Sequence, residues 1–136
     1  MRVKALAVPF ALGMALTGVA LSAPASFADT SAATVTLTET DNGTAVSVHT
    51  GDVIKVQLTG SRGNGLTWTW STPTASSTDV LTQTDSASLA DGSVTATFQA
   101  NSNGTTVITS TKGCVPDPGH FCSHLMQQWN ATVTVN

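Results

Sequence analysis

Four residues near the C-terminus have the types and spacing that could do chemistry: Cys114, His120, Cys122 and His124. Soft sulfur beside imidazole would suit a zinc ion. The spacing matches no common zinc finger, however, and the competing chemistry is oxidation of the two thiols to a bridge. With His49, these histidines are also the only candidate bases near neutral pH. No Gly-x-Ser-x-Gly elbow, paired-carboxylate cluster or phosphate-cradling motif accompanies them. The many Ser and Thr residues suit pleated, half-buried surfaces, so no single hydroxyl stands out as a nucleophile. The chain reads as a non-enzyme without metal or cofactor.

Compartment decides between metal and bridge. Arg2 and Lys4 precede an apolar run from Ala5 to Leu21, and Ser26-Phe27-Ala28 puts small residues at the −3 and −1 positions of a cleavage site. Residues 1–28 therefore read as a secretory signal peptide of bacterial appearance, leaving residues 29–136 as one secreted, extracellular domain. Its short apolar core and small-residue exit argue against a retained membrane anchor. Export favours pairing of Cys114 with Cys122. Closing so short a ring contributes roughly 2–3 kcal/mol and stiffens one local loop.

A second stretch invites binding rather than catalysis. Leu66, Trp68 and Trp70 alternate with Thr67 and Thr69, so one strand face carries three large apolar side chains. The preceding loop, Gly60 to Gly65, offers mostly backbone, with side chains only on Ser61, Arg62 and Asn64. Trp68, Trp70 and Trp129 would form either a ligand-stacking platform or, as their strand parity favours, part of the core. Without the leader, Lys55, Arg62 and Lys112 face all 8 acidic residues, so there is no basic stripe for nucleic acid.

The elements that must position these residues are short strands. Alternation predicts strands over Thr34–Thr38, Thr44–Val48, Val53–Thr59, Leu66–Trp70, Ser93–Ala100, Thr105–Lys112 and Trp129–Val135, with a weak strand over Asp79–Thr84. Asp41-Asn42-Gly43, Thr50-Gly51-Asp52 and Ala90-Asp91-Gly92 mark turns, and Asn101 to Gly104 reads as a hairpin turn. Thr74 to Ser77 reads as a polar connector, Ser86 to Ser93 as a loop, and Ser123 to Gln128 as one helical turn at most. The sequons at Asn42 and Asn103 are Asn-Gly turns, and the one at Asn130 falls inside a strand. Seven to eight strands without a convincing helix predict an all-β, immunoglobulin-like Greek-key sandwich. In that order three connections, Gly60–Gly65, Leu89–Gly92 and Gly113–Gln128, would meet at one end. The last is long for a structureless connection, which favours a functional loop.

This order of features resembles the chagasin-like cysteine-peptidase inhibitors, whose first loop reads Asn-Pro-Thr-Thr-Gly, then an aromatic residue, any residue and Trp. Ser61-Arg62-Gly63-Asn64-Gly65-Leu66-Thr67-Trp68 occupies the same place after a matching Gly51-Asp52-Val53 turn, with Gly65 and Trp68 retained. Asp91-Gly92 and Phe98 resemble the second loop and its strand. The third loop of the family carries Arg-Pro-Trp, whereas Lys112-Gly113-Cys114-Val115-Pro116 stands here, without the Arg or the Trp. The resemblance implies an immunoglobulin-like domain acting as a monomer on a protein partner, a papain-like cysteine peptidase. It implies Arg62, Gly63, Asn64 and Gly65 as the inserted tip. Asp91 and Gly92 would form one flanking brace, and Pro116, Pro118, His120 and Phe121 of the bridged loop the other. The alternative is an immunoglobulin-like binding or adhesion module on the same scaffold.

Overall fold

Alternating apolar and polar residues build strands whose inner faces need a second sheet to cover them, and this chain supplies two. The computed structural model describes residues 31–136, and the signal peptide expected over 1–28 lies outside them. Ten strands form: β1 Thr34–Leu37, β2 Thr44–Val48, β3 Val53–Leu58, β4 Ser61–Gly63, β5 Leu66–Trp70, β6 Thr74–Ala75, β7 Leu81–Ser88, β8 Val94–Ala100, β9 Gly104–Pro116 and β10 Gln127–Val135. One tight helical turn, Glu39–Asp41, is the only helix among the described residues. One sheet runs β1-β3-β8-β7; the other runs β2-β10-β9-β5-β4, with β6 also on β9. β1 pairs parallel to β3 and β2 parallel to β10; the remaining pairs are antiparallel.

The all-β sandwich expected from the alternation is present. Ile54, Val56 and Leu58 of β3 lie beside Phe98, Ala96 and Val94 of β8 on the inner face of one sheet, each at most 1% exposed. The second sheet adds Trp70, Ile108, Trp129, Ala131, Val133 and Val135 to the same core. Each buried indole keeps a partner, as an interior N–H requires. Trp70 Nε1–H donates to the Thr59 carbonyl (3.0 Å) and Trp129 Nε1–H to the Thr38 carbonyl (2.9 Å). Asp52, 8% exposed, accepts the Ala33 and His49 backbone N–H groups at 3.0 and 2.8 Å and fastens the start of β1 to the β2–β3 turn.

Several local expectations are corrected. The Gly60–Gly65 stretch is not an open loop, because Ser61, Arg62 and Gly63 pair with Trp68, Thr67 and Leu66. Thr74 and Ala75 are not merely a connector, since they extend the sheet along β9. The weak strand near Asp79 is instead the eight-residue β7, which takes Ser86 to Ser88 out of the predicted loop. The Asn101–Gly104 turn does not close a hairpin; β8 and β9 belong to different sheets. β9 continues through Gly113, Cys114, Val115 and Pro116 against β5, so the long connection shrinks to residues 117–126 and holds no helical turn. Where a stretch joined a sheet unexpectedly, a partner strand outweighed a weak local preference, which is how tertiary context acts on β-propensity.

Candidate functional site

Asn64 and Gly65 form the tip of the β4–β5 hairpin. Both take positive φ, 56° and 76°, as a two-residue turn between right-twisted strands demands. The tip is backed by the third loop. Asp117 N–H donates to the Gly65 carbonyl at 2.8 Å and His120 N–H to the Asp117 carbonyl at 3.0 Å. The His120 ring packs so closely over Gly65 that a Cβ there would collide with it.

Arg62 does not point out with the tip. Its guanidinium folds sideways and donates to both Asp117 carboxylate oxygens, at 3.2 and 2.7 Å, and to the Thr67 hydroxyl. The Arg62 hydrogen bond holds the Asp117 carboxyl below the usual carboxylate range; partial desolvation opposes this, and the charges of Arg62 and His120 add to it. Gly63 ends β4 opposite Leu66.

The second loop meets the hairpin at its base. Gly60 N–H donates to Ser93 Oγ (2.9 Å), and Trp70 N–H donates to the Gly92 carbonyl (3.0 Å). The approach is a backbone-to-backbone one: a Cβ on Gly60 would collide with Gly92, and a Cβ on Gly92 with the Trp68 carbonyl. Asp91 accepts the Ser93 N–H (2.9 Å), which lowers its pKa and closes its own loop.

Cys114 and Cys122 are joined, which pins the middle of the third loop to β9 beside Trp68. Pro116 is the last residue of β9, Pro118 is exposed, and Phe121 is 90% exposed. Among the described residues no group of three or more His, Cys, Asp or Glu is poised for a metal.

The exposed large hydrophobic side chains of the described residues are Leu89, Val115, Phe121, Leu125 and Met126, all on the second and third loops or the end of β9. Water-facing apolar groups gathered at one end mark an interaction surface. Two open grooves cross it. One, of about 550 Å³, is lined by Ser61, Trp68, Lys112, Leu125, Met126 and Gln127. The other, of about 410 Å³, runs along the bridge past His120, Phe121 and His124.

The structure therefore brings the first and third groups of sequence-read residues into contact at the tip and the second group against the hairpin base. Sequence reasoning missed Asp117, which anchors the tip, and the surface of Leu89, Val115, Leu125 and Met126. Adjacent Leu125 and Met126 in a polar stretch were a usable signal. Asp117 offered none, because its partner lies 55 residues away. Of the three indoles, Trp70 and Trp129 enter the core, while Trp68 stays half-buried and walls a groove.

No protein-family model and no curated protein matches the chain. Among solved structures, the cysteine protease inhibitor EhICP2 from Entamoeba histolytica superposes with a TM-score of 0.55 at 19% identity, over 76% of this chain and 96% of that one. The fold is chagasin-like. The solution structure of amebosin agrees, with a TM-score of 0.51 at 18% identity over 76% of this chain and 98% of its own. The chagasin-like sandwich thus spans most of the chain and carries a bridged third loop together with a hairpin in place of the expected first loop.

Proposed function

We propose that this chain is a secreted inhibitor of papain-like cysteine peptidases, released by cleavage after Ala28 and acting as a monomeric, non-enzymatic, cofactor-free binding protein. The observation that carries this reading is the single end at which the Asn64-Gly65 tip, the Leu89–Gly92 loop and the bridged loop meet. All the exposed large apolar side chains of the described residues lie there or beside it. EhICP2, a cysteine protease inhibitor, shares the fold. Asn64 and Gly65 would enter the cleft near the catalytic thiol, presenting backbone that a narrow cleft accepts. Phe121, Leu125, Met126 and Leu89 would rest on the apolar rims, with Asp91, Gly92, Pro116 and Pro118 shaping the braces. A tip already held by Asp117 and His120 loses little entropy on docking, and that is how a small inhibitor gains affinity.

The test is a tight-binding titration of the oxidised protein against papain, with a serine peptidase as control. Stoichiometric loss of papain activity alone is expected. Absence of inhibition, or equal inhibition of both enzymes, would sink the proposal. The second reading, a binding or adhesion module without peptidase inhibition, is favoured by half-buried Trp68 on the wall of an open groove. It predicts a ligand that Trp68→Ala abolishes and that changes at Asn64 and Gly65 leave bound.

A further inference from the structure

Between His120 and Gln127, no hydrogen bond among the described residues ties the third loop to the sandwich. Before this segment, Val115 and Pro116 are paired to Thr67 and Leu66; after it, Gln127 is paired to Lys112. The covalent fastening in between is the bridge, which anchors Cys122 to Cys114 on β9. Phe121, Leu125 and Met126, the most exposed large apolar side chains of the described residues, hang on this fastened segment, and His120 reaches from it over Gly65. Both half-buried cysteines line the open groove of about 410 Å³, which leads toward the bridge from outside the core. Neither cysteine belongs to the core cluster.

We infer that the Cys114–Cys122 bridge is a redox catch on the binding end: closed, it presents the apolar loop and backs the hairpin tip; opened by a dithiol, it releases both. As regulation of inhibition this rests on the function proposed above; as a change in loop order it does not. The chemistry is thiol–disulfide exchange. One thiolate of the dithiol attacks a protein sulfur and expels the other, giving a mixed disulfide. The second thiolate then displaces the protein sulfur. Two electrons and two protons pass to the protein, leaving Cys114 and Cys122 as thiols and the dithiol oxidised. A freed segment regains conformational entropy that the ring had removed, while both sheets keep their ladders.

Dithiothreitol under native conditions, with alkylation and mass measurement, reports opening; amide hydrogen exchange reports order. In the reduced protein and in the Cys114→Ser/Cys122→Ser double variant, the His120 amide should exchange at least tenfold faster, with the Ile54 and Phe98 amides unchanged. In reductant-free assays the double variant should inhibit papain at least tenfold less well than the oxidised protein. Opening only when the core amides also exchange, or equal His120 protection in open and closed forms, would overturn the catch. Faster His120 exchange with papain inhibited by neither form keeps the catch and removes the peptidase reading. Unchanged exchange with both forms inhibiting equally does the reverse.

Discussion

Arg62 and Asp117 form a two-pronged ion pair, 2.7 Å at its shorter contact, that joins the first hairpin to the third loop. Both side chains are substantially exposed, so the pair contributes little to global stability. Its weight falls on the tip, because Asp117 also donates its N–H to Gly65. Arg62→Ala or Asp117→Ala should leave the urea midpoint nearly unchanged while weakening papain inhibition by roughly tenfold, through lost preorganisation. Equal inhibition by wild type and both variants would show that the pair is incidental.

The same pair sets a pH dependence. The folded pKa of Asp117 is lowered, so its contribution is present above the ordinary carboxylate value of about 3.9 and is lost as pH falls through the lower, folded value. Asp52 shifts the same way, chiefly through the His49 and Ala33 backbone N–H groups. Tip order and global stability should therefore hold from neutral pH down to about 4 and decline together below it. Asp117→Asn should remove only the tip component, measured as His120 amide exchange against pH.

Gly65 is constrained twice, by a φ of 76° and by the His120 ring above it. Gly65→Val should cost about 1–2 kcal/mol from the left-handed backbone alone, read by urea unfolding. It should also displace His120 and abolish inhibition. An unchanged unfolding midpoint would contradict the hairpin geometry.

Gly92 is constrained by backbone rather than by a movable side chain. A Cβ there would meet the Trp68 carbonyl, where nothing can rotate away. Gly92→Ala should therefore destabilise the protein by roughly 3 kcal/mol or more, placing it among the severe single substitutions. Differential scanning calorimetry would show the fall, and a shift of only a degree or two would refute the close approach.

The tryptophans separate core from surface. Trp129→Ala removes a buried indole with a hydrogen-bonded N–H and should cost about 3–5 kcal/mol. Trp68→Ala should cost far less, since the side chain is only half-buried, yet it should open the groove lined by Lys112, Leu125 and Met126. Equal losses in chemical denaturation would mean that both indoles are core.

The legible part of the fold was the part written in alternation. Ile54, Val56 and Leu58, then Val94, Ala96 and Phe98, then Trp129, Ala131, Val133 and Val135 each mark one strand face, and all are buried as that pattern requires. Strand pairing was not legible. Ser61, Arg62 and Gly63 have no apolar pattern and become a strand because β5 offers them a ladder; Thr74 and Ala75 do so because β9 does. At the candidate site, the bridge followed from two cysteines and expected export, and the tip, over Arg62 to Gly65, only from the family resemblance. The contacts that hold the tip did not.

By itself, then, the amino-acid sequence determined the all-β class, the inward faces and the partners in the bridge. Each depends on local periodicity or on there being two cysteines to pair. Only the tertiary structure decided that Arg62 meets Asp117, that His120 covers Gly65 and that Gly92 lies under Trp68. Those relationships join residues distant along the chain, and they arise from strand order and register, which long-range burial selects and no short stretch encodes.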